Sequence, residues 1–261
     1  MQYVRTLWEG AVRHGVVRGE RIALLDGDPL AGGAPVDSGA SLPLEAAALL
    51  VPCLPTKIVG VGLNYRAHAR EMGKPLPDEP LLFLKPPSAL LPHGAAIVRP
   101  SGYARVDFEG ELCVVIGRRA RCVPEARALD HVFGYTILDD VTVRDLQKKD
   151  VQYTRAKGFD TFCPVGPAIA TGLDPRTLRL RTRVNGALRQ DSTTEDLVFP
   201  VAALIAFASR VMTLEPGDLL TTGTPPGVGN LEPGDVVEIE IEGIGVLRNP
   251  VVAAPDVALQ Q

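Results

Sequence analysis

The sequence predicts a mostly β protein with a few helices, an α+β chain, and three observations carry that reading. Apolar and charged residues alternate strictly over 178–184 and again over 237–242, the period of a half-buried strand. The 23 prolines and 26 glycines are spread along the chain, so turns punctuate it throughout and no low-complexity linker divides it. One segment has a clear helical period, with Val201, Leu204, Ile205, Ala208, Val211 and Met212 on one face and Pro200 near its start.

Taken in order, residues 1–52 read as a small N-terminal domain of short strands and turns. Arg21-Ile-Ala-Leu-Leu is a strand, Asp26-Gly-Asp the turn after it, and the apolar stretch 44–51 a short helix. Pro52 and Pro55 bracket the boundary to a larger domain, 53–261. There, 112–116 is a short apolar run suited to a buried strand. Leu178, Leu180, Thr182 and Val184 share one strand face, and Asn185-Gly186 at once signals a type I′ hairpin returning through Ala187. Leu-Glu-Pro-Gly-Asp occurs at 214–218 and 231–235, one turn type used twice, each before a strand.

Composition removes several function classes. The chain has 27 basic and 31 acidic residues, a net charge of −4, which leaves no general footprint for nucleic acid or anionic lipid. The longest apolar run, 201–208, is far short of the ~20 residues of a membrane helix. The N-terminus lacks the apolar core of a signal peptide. Cys53, Cys113, Cys122 and Cys163 form no C-x-x-C pair, so reduced thiols in a cytoplasmic protein are expected.

Five segments carry candidate chemistry. In Asp107-Phe-Glu109-Gly-Glu111, regular strand geometry puts both glutamates on one face, where a hard divalent cation would relieve their repulsion; a solvated strand end is the plainer alternative. The same parity places Cys113 beneath them. In Gly134-Tyr-Thr-Ile-Leu-Asp139-Asp140, an apolar strand ends in two aspartates, suited to capping the next helix or to supplying a third metal oxygen. Asn64 suits the cap of a short helix that Gly73 ends, and His68 and Glu71, at i and i+3, share its face as a base and its orienting carboxylate, or as a surface pair. Lys157, before a glycine in an aromatic- and proline-bound loop, could neutralise a carboxylate or an enolate, with turn chemistry as the alternative. Thr221-Thr-Gly-Thr224-Pro-Pro-Gly227-Val-Gly229 could offer backbone N–H groups to an anion, with turn chemistry as the alternative, and it is no P-loop.

Together KIVGVGLNYRAHARE, VDFEGELCVVIG, GYTILDDVTVRDLQ, KGFDTFCPVGP and TTGTPPGVG, in this order over most of 57–230, resemble the fumarylacetoacetate hydrolase family. The resemblance implies a mixed β-sandwich roll, a homodimer, and one divalent cation, Mg²⁺ first, with Mn²⁺ or Ca²⁺ as alternatives. It implies Glu109, Glu111 and Asp140 as metal ligands, and His68 and Glu71 as a water-activating dyad on a mobile lid segment reaching to Pro80. It implies Lys157 as the cation beside an anionic intermediate, and Gln147 and Thr224 as substrate contacts. Family members often have Asn where this chain has Asp139. The implied substrates are small 2-oxo or 2-hydroxy-dienoic acids, with 2-hydroxyhepta-2,4-diene-1,7-dioate isomerisation as the leading reaction and decarboxylation as an accompanying one. Acylpyruvate hydrolysis and oxaloacetate decarboxylation are the alternatives. A non-catalytic metal-stabilised binding protein is the alternative of another class, and it would have no need of the dyad.

Overall fold

The computed structural model describes residues 1–33 and 35–255. Four strands, β1 (Gln2–Trp8), β2 (Ala11–Arg18), β3 (Arg21–Asp26) and β4 (Val36–Pro43), form an antiparallel meander. The stretch 44–51 is not the expected helix. It makes a single 3₁₀ turn, Leu44–Ala46, and then strand β5 (Ala48–Leu50), which pairs with β1. The unpaired edge of β1 competes successfully for these backbone groups, as happens to short apolar runs whose period does not separate helix from strand.

The body follows with β6 (Ile58–Gly62), α1 (Arg66–Glu71), β7 (Leu81–Lys85), β8 (Leu90–Pro92), β9 (Ile97–Arg99), β10 (Val106–Phe108), β11 (Gly110–Ile116), β12 (Val132–Asp139) and β13 (Thr142–Val143). Then come α2 (Arg144–Lys149), α3 (Thr154–Lys157), β14 (Cys163–Ala170), β15 (Arg179–Val184), β16 (Ala187–Thr193), α4 (Val201–Val211), β17 (Leu219–Thr221), β18 (Gly229–Asn230), β19 (Val236–Ile241) and β20 (Gly245–Ala253). The main sheet runs β4-β3-β2-β1-β14-β12-β11-β17-β6-β7, so the N-terminal meander joins it through β1 and β14. Residues 86–89 carry the chain from edge strand β7 to β8, which pairs in parallel with β14 and rolls the sheet. The β17–β6 and β20–β9 pairs are also parallel, so the architecture is the expected mixed β roll.

A five-stranded sheet, β16-β15-β19-β20-β9, packs over one face of the roll. Its inner residues Leu180, Val184, Val237, Ile239 and Ile241 meet Leu112, Val114 and Ile116 of β11, and α4 packs into the same core with Val201, Leu204, Ile205 and Ala208. The hairpin signal holds: Asn185 and Gly186 both have positive φ, 52° and 78°, as a type I′ turn requires. The opposite parity of β11, Cys113 and Val115, faces a second core with Cys53, Cys163, Leu138 and Leu219. Burial there pushes the Cys113 thiol well above its ordinary range and the Cys53 and Cys163 thiols up to about 12. These are inert packing groups.

Asp218, in the first Leu-Glu-Pro-Gly-Asp turn, ties the body to the segment entering β6. Its wholly buried carboxylate accepts N–H bonds from Thr56, Lys57 and Glu215, the Thr56 hydroxyl, and the Lys57 ammonium. These donors overcome the burial that would raise its pKa and hold it below the usual carboxylate range. A depressed folded pKa means the stabilisation is complete above the unfolded value and is lost as pH falls through the folded one. Asp218→Asn is therefore expected to cost about 2–3 kcal/mol at neutral pH. In thermal unfolding from pH 7 to 2, the gap to wild type should close below pH ~4; a gap independent of pH would show that the charge is not the source.

Candidate metal centre and active site

The β11–β12 register builds the centre. Gly110 pairs with Asp139, the Asp140 amide donates to the Glu109 carbonyl at 2.9 Å, and the Glu109 amide donates to Asp139 Oδ1 at 2.8 Å. The start of one strand and the end of its antiparallel partner thus bring Glu109, Glu111 and Asp140 together. One carboxylate oxygen from each lies within 4.8 Å of the others, and all three residues are buried. The strand is broken at Glu109, between β10 and β11, yet the same-face expectation for the two glutamates holds at the level of this cluster. Asp139 and Asp140 do not cap α2, whose N-cap is Val143.

Cations approach the cluster unevenly. Lys157 Nζ, buried at the end of α3, donates to Glu109 Oε2 (2.9 Å), Asp140 Oδ2 (2.5 Å) and Thr142 Oγ1 (2.8 Å). Lys157 thus lies on a short helix where a loop was expected. Arg144 Nη2 donates to Glu109 Oε1 at 2.5 Å, and its Nε to Asp107 Oδ2 at 2.7 Å. Burial alone would raise the Glu109 pKa, but Arg144 and Lys157 hold it at about 2. Glu111 has a backbone partner, the Gly223 N–H at 3.0 Å. Burial beside Asp140 and Glu109 pushes its carboxyl well above the usual range. Burial also raises Asp139 to about 7, and its Oδ2 has no hydrogen-bond partner.

This donor set fits a hard divalent cation. Three carboxylate oxygens suit Mg²⁺, Mn²⁺ or Ca²⁺, and such an ion would offset the burial and the neighbouring negative charges that together raise Glu111.

The dyad stands across the same cavity, of about 720 Å³, whose lining includes His68, Glu71, Glu109, Glu111, Asp140, Gln147, Lys157 and Thr224. Every expected site residue therefore faces one space. His68 Nδ1 lies 2.8 Å from Glu71 Oε2, with the histidine side chain 9% and the glutamate 45% exposed. A carboxylate there favours the proton on Nδ1 and leaves Nε2 with a free lone pair toward the cavity. Glu71 Oε1 is held by the Gly227 N–H at 3.1 Å. A Cβ on Gly227 would sit 2.1 Å from the Arg189 carbonyl, and φ there is +97°, so this position admits glycine. The glycine-rich loop does present N–H groups to anions, but they are the protein's own Glu71 and Glu111. Thr224 spends its hydroxyl on the Gly110 carbonyl and on Gln190 Nε2, while Gln147 Oε1 accepts from Arg144.

Asn64 is not the cap of α1, whose N-cap is Tyr65. Its side chain accepts the Phe199 N–H and donates to the Thr222 and Phe199 carbonyls, pinning the α1 approach to the strand-end loops. Sequence reasoning passed over Lys85, a fully buried lysine donating to Asp140 Oδ1 (2.7 Å) and to the Lys157 carbonyl (2.6 Å). Its signal is a lysine closing the apolar run Leu81-Leu-Phe-Leu. Arg144 and its anchor Asp107 were passed over as well. Removing one partner of a buried ion pair strands the other, so Lys85→Met is expected to cost about 3 kcal/mol in urea unfolding; a loss under ~1 kcal/mol would place the pair among weak ones.

Residues 57–252 match the family model described as fumarylacetoacetate (FAA) hydrolase C-terminal, and residues 1–52 match the Rv2993c-like N-terminal model. The crystal structure of 2-hydroxyhepta-2,4-diene-1,7-dioate isomerase from Mycobacterium marinum is 44% identical, with a TM-score of 0.91 over 98% of this chain and 100% of that one. Maleylpyruvate hydrolase from Sphingobium sp. SYK-6, solved with manganese(II) and pyruvate, is 35% identical, with a TM-score of 0.81 over 98% and 100%. The mitochondrial oxaloacetate tautomerase of Xenopus laevis is 46% identical over 217 residues, 78% of this chain and 68% of that protein.

Proposed function

Since the chain belongs to the fumarylacetoacetate hydrolase family, we propose that it is a divalent-metal-dependent enzyme acting on 2-oxo and 2-hydroxy-dienoic diacids, with 2-hydroxyhepta-2,4-diene-1,7-dioate isomerisation as its lead reaction. The observation that carries this reading is a His68–Glu71 pair at 2.8 Å lining the same cavity as the three clustered carboxylates. Likeness to the Mycobacterium marinum isomerase supports the substrate choice.

Glu109, Glu111 and Asp140 would hold the cation, which when bound supplies Lewis acidity toward the 2-oxygen and carboxylate of the substrate. Lys157 holds a fixed positive charge beside that oxygen and favours the dienolate over the neutral enol. Isomerisation moves one proton from the 2-hydroxyl to a carbon of the diene, with no atom gained or lost. A single base that can return its proton suffices, and His68 Nε2 is that base, with Glu71 fixing its tautomer and stabilising the imidazolium. Gln147, whose Oε1 is held by Arg144, turns its amide N–H groups to the substrate head, while Thr224, with its hydroxyl committed to Gly110 and Gln190, shapes the wall beside it. The segment from α1 to Pro80 excludes water when it closes. Oxaloacetate tautomerisation is the second reading, favoured by the Xenopus laevis relative, and it uses the same proton shuttle on a shorter diacid.

Two outcomes test this. Incubation with Mg²⁺ or Mn²⁺ and the dienoic diacid, followed by dienol absorbance and product analysis, should show isomerisation that chelation abolishes and either ion restores. Full turnover in metal-free protein would sink the metal assignment. His68→Ala and Glu71→Ala should each lower kcat by about 10²-fold or more while calorimetric Mn²⁺ affinity stays near wild type. Loss of metal binding in parallel would mean that these residues belong to the ion's coordination and not to proton transfer.

A further inference from the structure

The charge inventory of the cavity leaves two lysines over. Asp107 is paired with Arg105 and Arg144, Glu109 with Arg144 and Lys157, Asp140 with Lys157 and Lys85, and Glu71 with His68. Glu111 faces the others and takes the Gly223 N–H. Lys74 and Lys148 line the same cavity, are exposed, and make no salt bridge or side-chain hydrogen bond among the described residues. They come from different elements, Lys74 three residues beyond Glu71 on the segment after α1, and Lys148 next to Gln147 on α2. The same lining also carries hydrocarbon surface from Val61, Met72, Leu81 and Phe83. A space with a carboxylate cluster that fits a cation, an apolar stretch and two unspent ammonium groups matches a ligand with an acidic head, a carbon chain and a second acid.

We propose that Lys74 and Lys148 form a subsite for a distal carboxylate, so that the cavity selects 2-oxo dicarboxylates over 2-oxo monocarboxylates of equal chain length. This rests on the 2-oxo acid reading above. The ammonium groups are solvated, so each contributes modestly, and the selection is sensitive to salt. Because Lys74 follows directly on the segment bearing His68 and Glu71, a carboxylate shared with Lys148 also draws that segment toward α2. A monocarboxylate has no group to do this.

Calorimetric titration of the Mn²⁺-loaded protein with 2-oxoheptanedioate and 2-oxoheptanoate tests the subsite, since the two ligands differ only at the far end. Wild type is expected to bind the diacid about fivefold tighter, with the ratio shrinking toward one in 0.5 M salt. Lys74→Gln with Lys148→Gln should erase the ratio and leave monoacid affinity unchanged, while Lys149→Gln, at an exposed neighbour outside the cavity lining, should preserve it. Equal affinities in wild type, or a preference that survives in the double variant, would overturn the subsite alone. If Mn²⁺ binds and neither 2-oxo acid does, the 2-oxo acid reading falls and the subsite with it.

Discussion

Three carboxylates held within 4.8 Å of one another in a buried site repel strongly. At ~4 Å and an effective dielectric near 20, each ionised pair opposes folding by about 4 kcal/mol. Much of the surrounding structure reads as a response to that repulsion. Lys157 bridges two of the acids, Lys85 reaches the outer oxygen of Asp140, and Arg144 covers the outer oxygen of Glu109. Each cation is fixed in turn: Arg144 by Asp107, and Lys85 by the carbonyl of Lys157. The compensation forms a connected network, so its members are expected to behave non-additively.

The relief is uneven, and the unevenness has chemical meaning. Glu109 has two cationic partners and a pKa near 2, whereas Glu111 has a backbone N–H and a strongly raised one. Glu111 is therefore the acid that a divalent ion in this cluster would change most, because ligation would compete with its proton. The glycine-rich loop enters here in an unexpected role. Gly223 and Gly227 steady Glu111 and Glu71, one from each half of the site, so a single loop couples the carboxylate cluster to the dyad.

Local pattern accounts for what could be read in the sequence, and distance along the chain for what could not. The alternating runs of β15 and β19, the Asn185-Gly186 turn and the apolar face of α4 are local signals, and the structure keeps them. Glu109 and Glu111 were visible by parity, and His68 with Glu71 by helical spacing. Lys85 was not, because its meaning depends on Asp140, fifty-five residues away and reached only when the sheet rolls. Alone, it reads as the solvated end of an edge strand. Asn64 and Asp139 misled toward capping for the same reason: both side chains spend their hydrogen bonds on backbone brought in by tertiary contacts, from Phe199 and Thr222 in one case and Glu109 in the other.

The two halves of the site differ in how firmly the fold holds them. Glu109, Glu111 and Asp140 are set by sheet register, where each neighbouring amide is engaged and a one-residue slip would turn the strand face over. His68 and Glu71 ride on a six-residue helix, too short to be stable in isolation, and it is held by loop contacts such as Asp196 to the Ala67 amide and Gly227 to Glu71. The carboxylate cluster is thus the rigid part of the site, and the placement of the His68–Glu71 pair the adjustable part. Such a division lets one frame serve several reactions. A base placed against the carbon chain returns a proton and isomerises or tautomerises. The same base set back by the width of a water molecule would activate that water for carbon–carbon cleavage. Differences among isomerase, tautomerase and hydrolase relatives then need not lie in the carboxylate cluster, and the short helix and the segment that follows it are where reaction choice can be made.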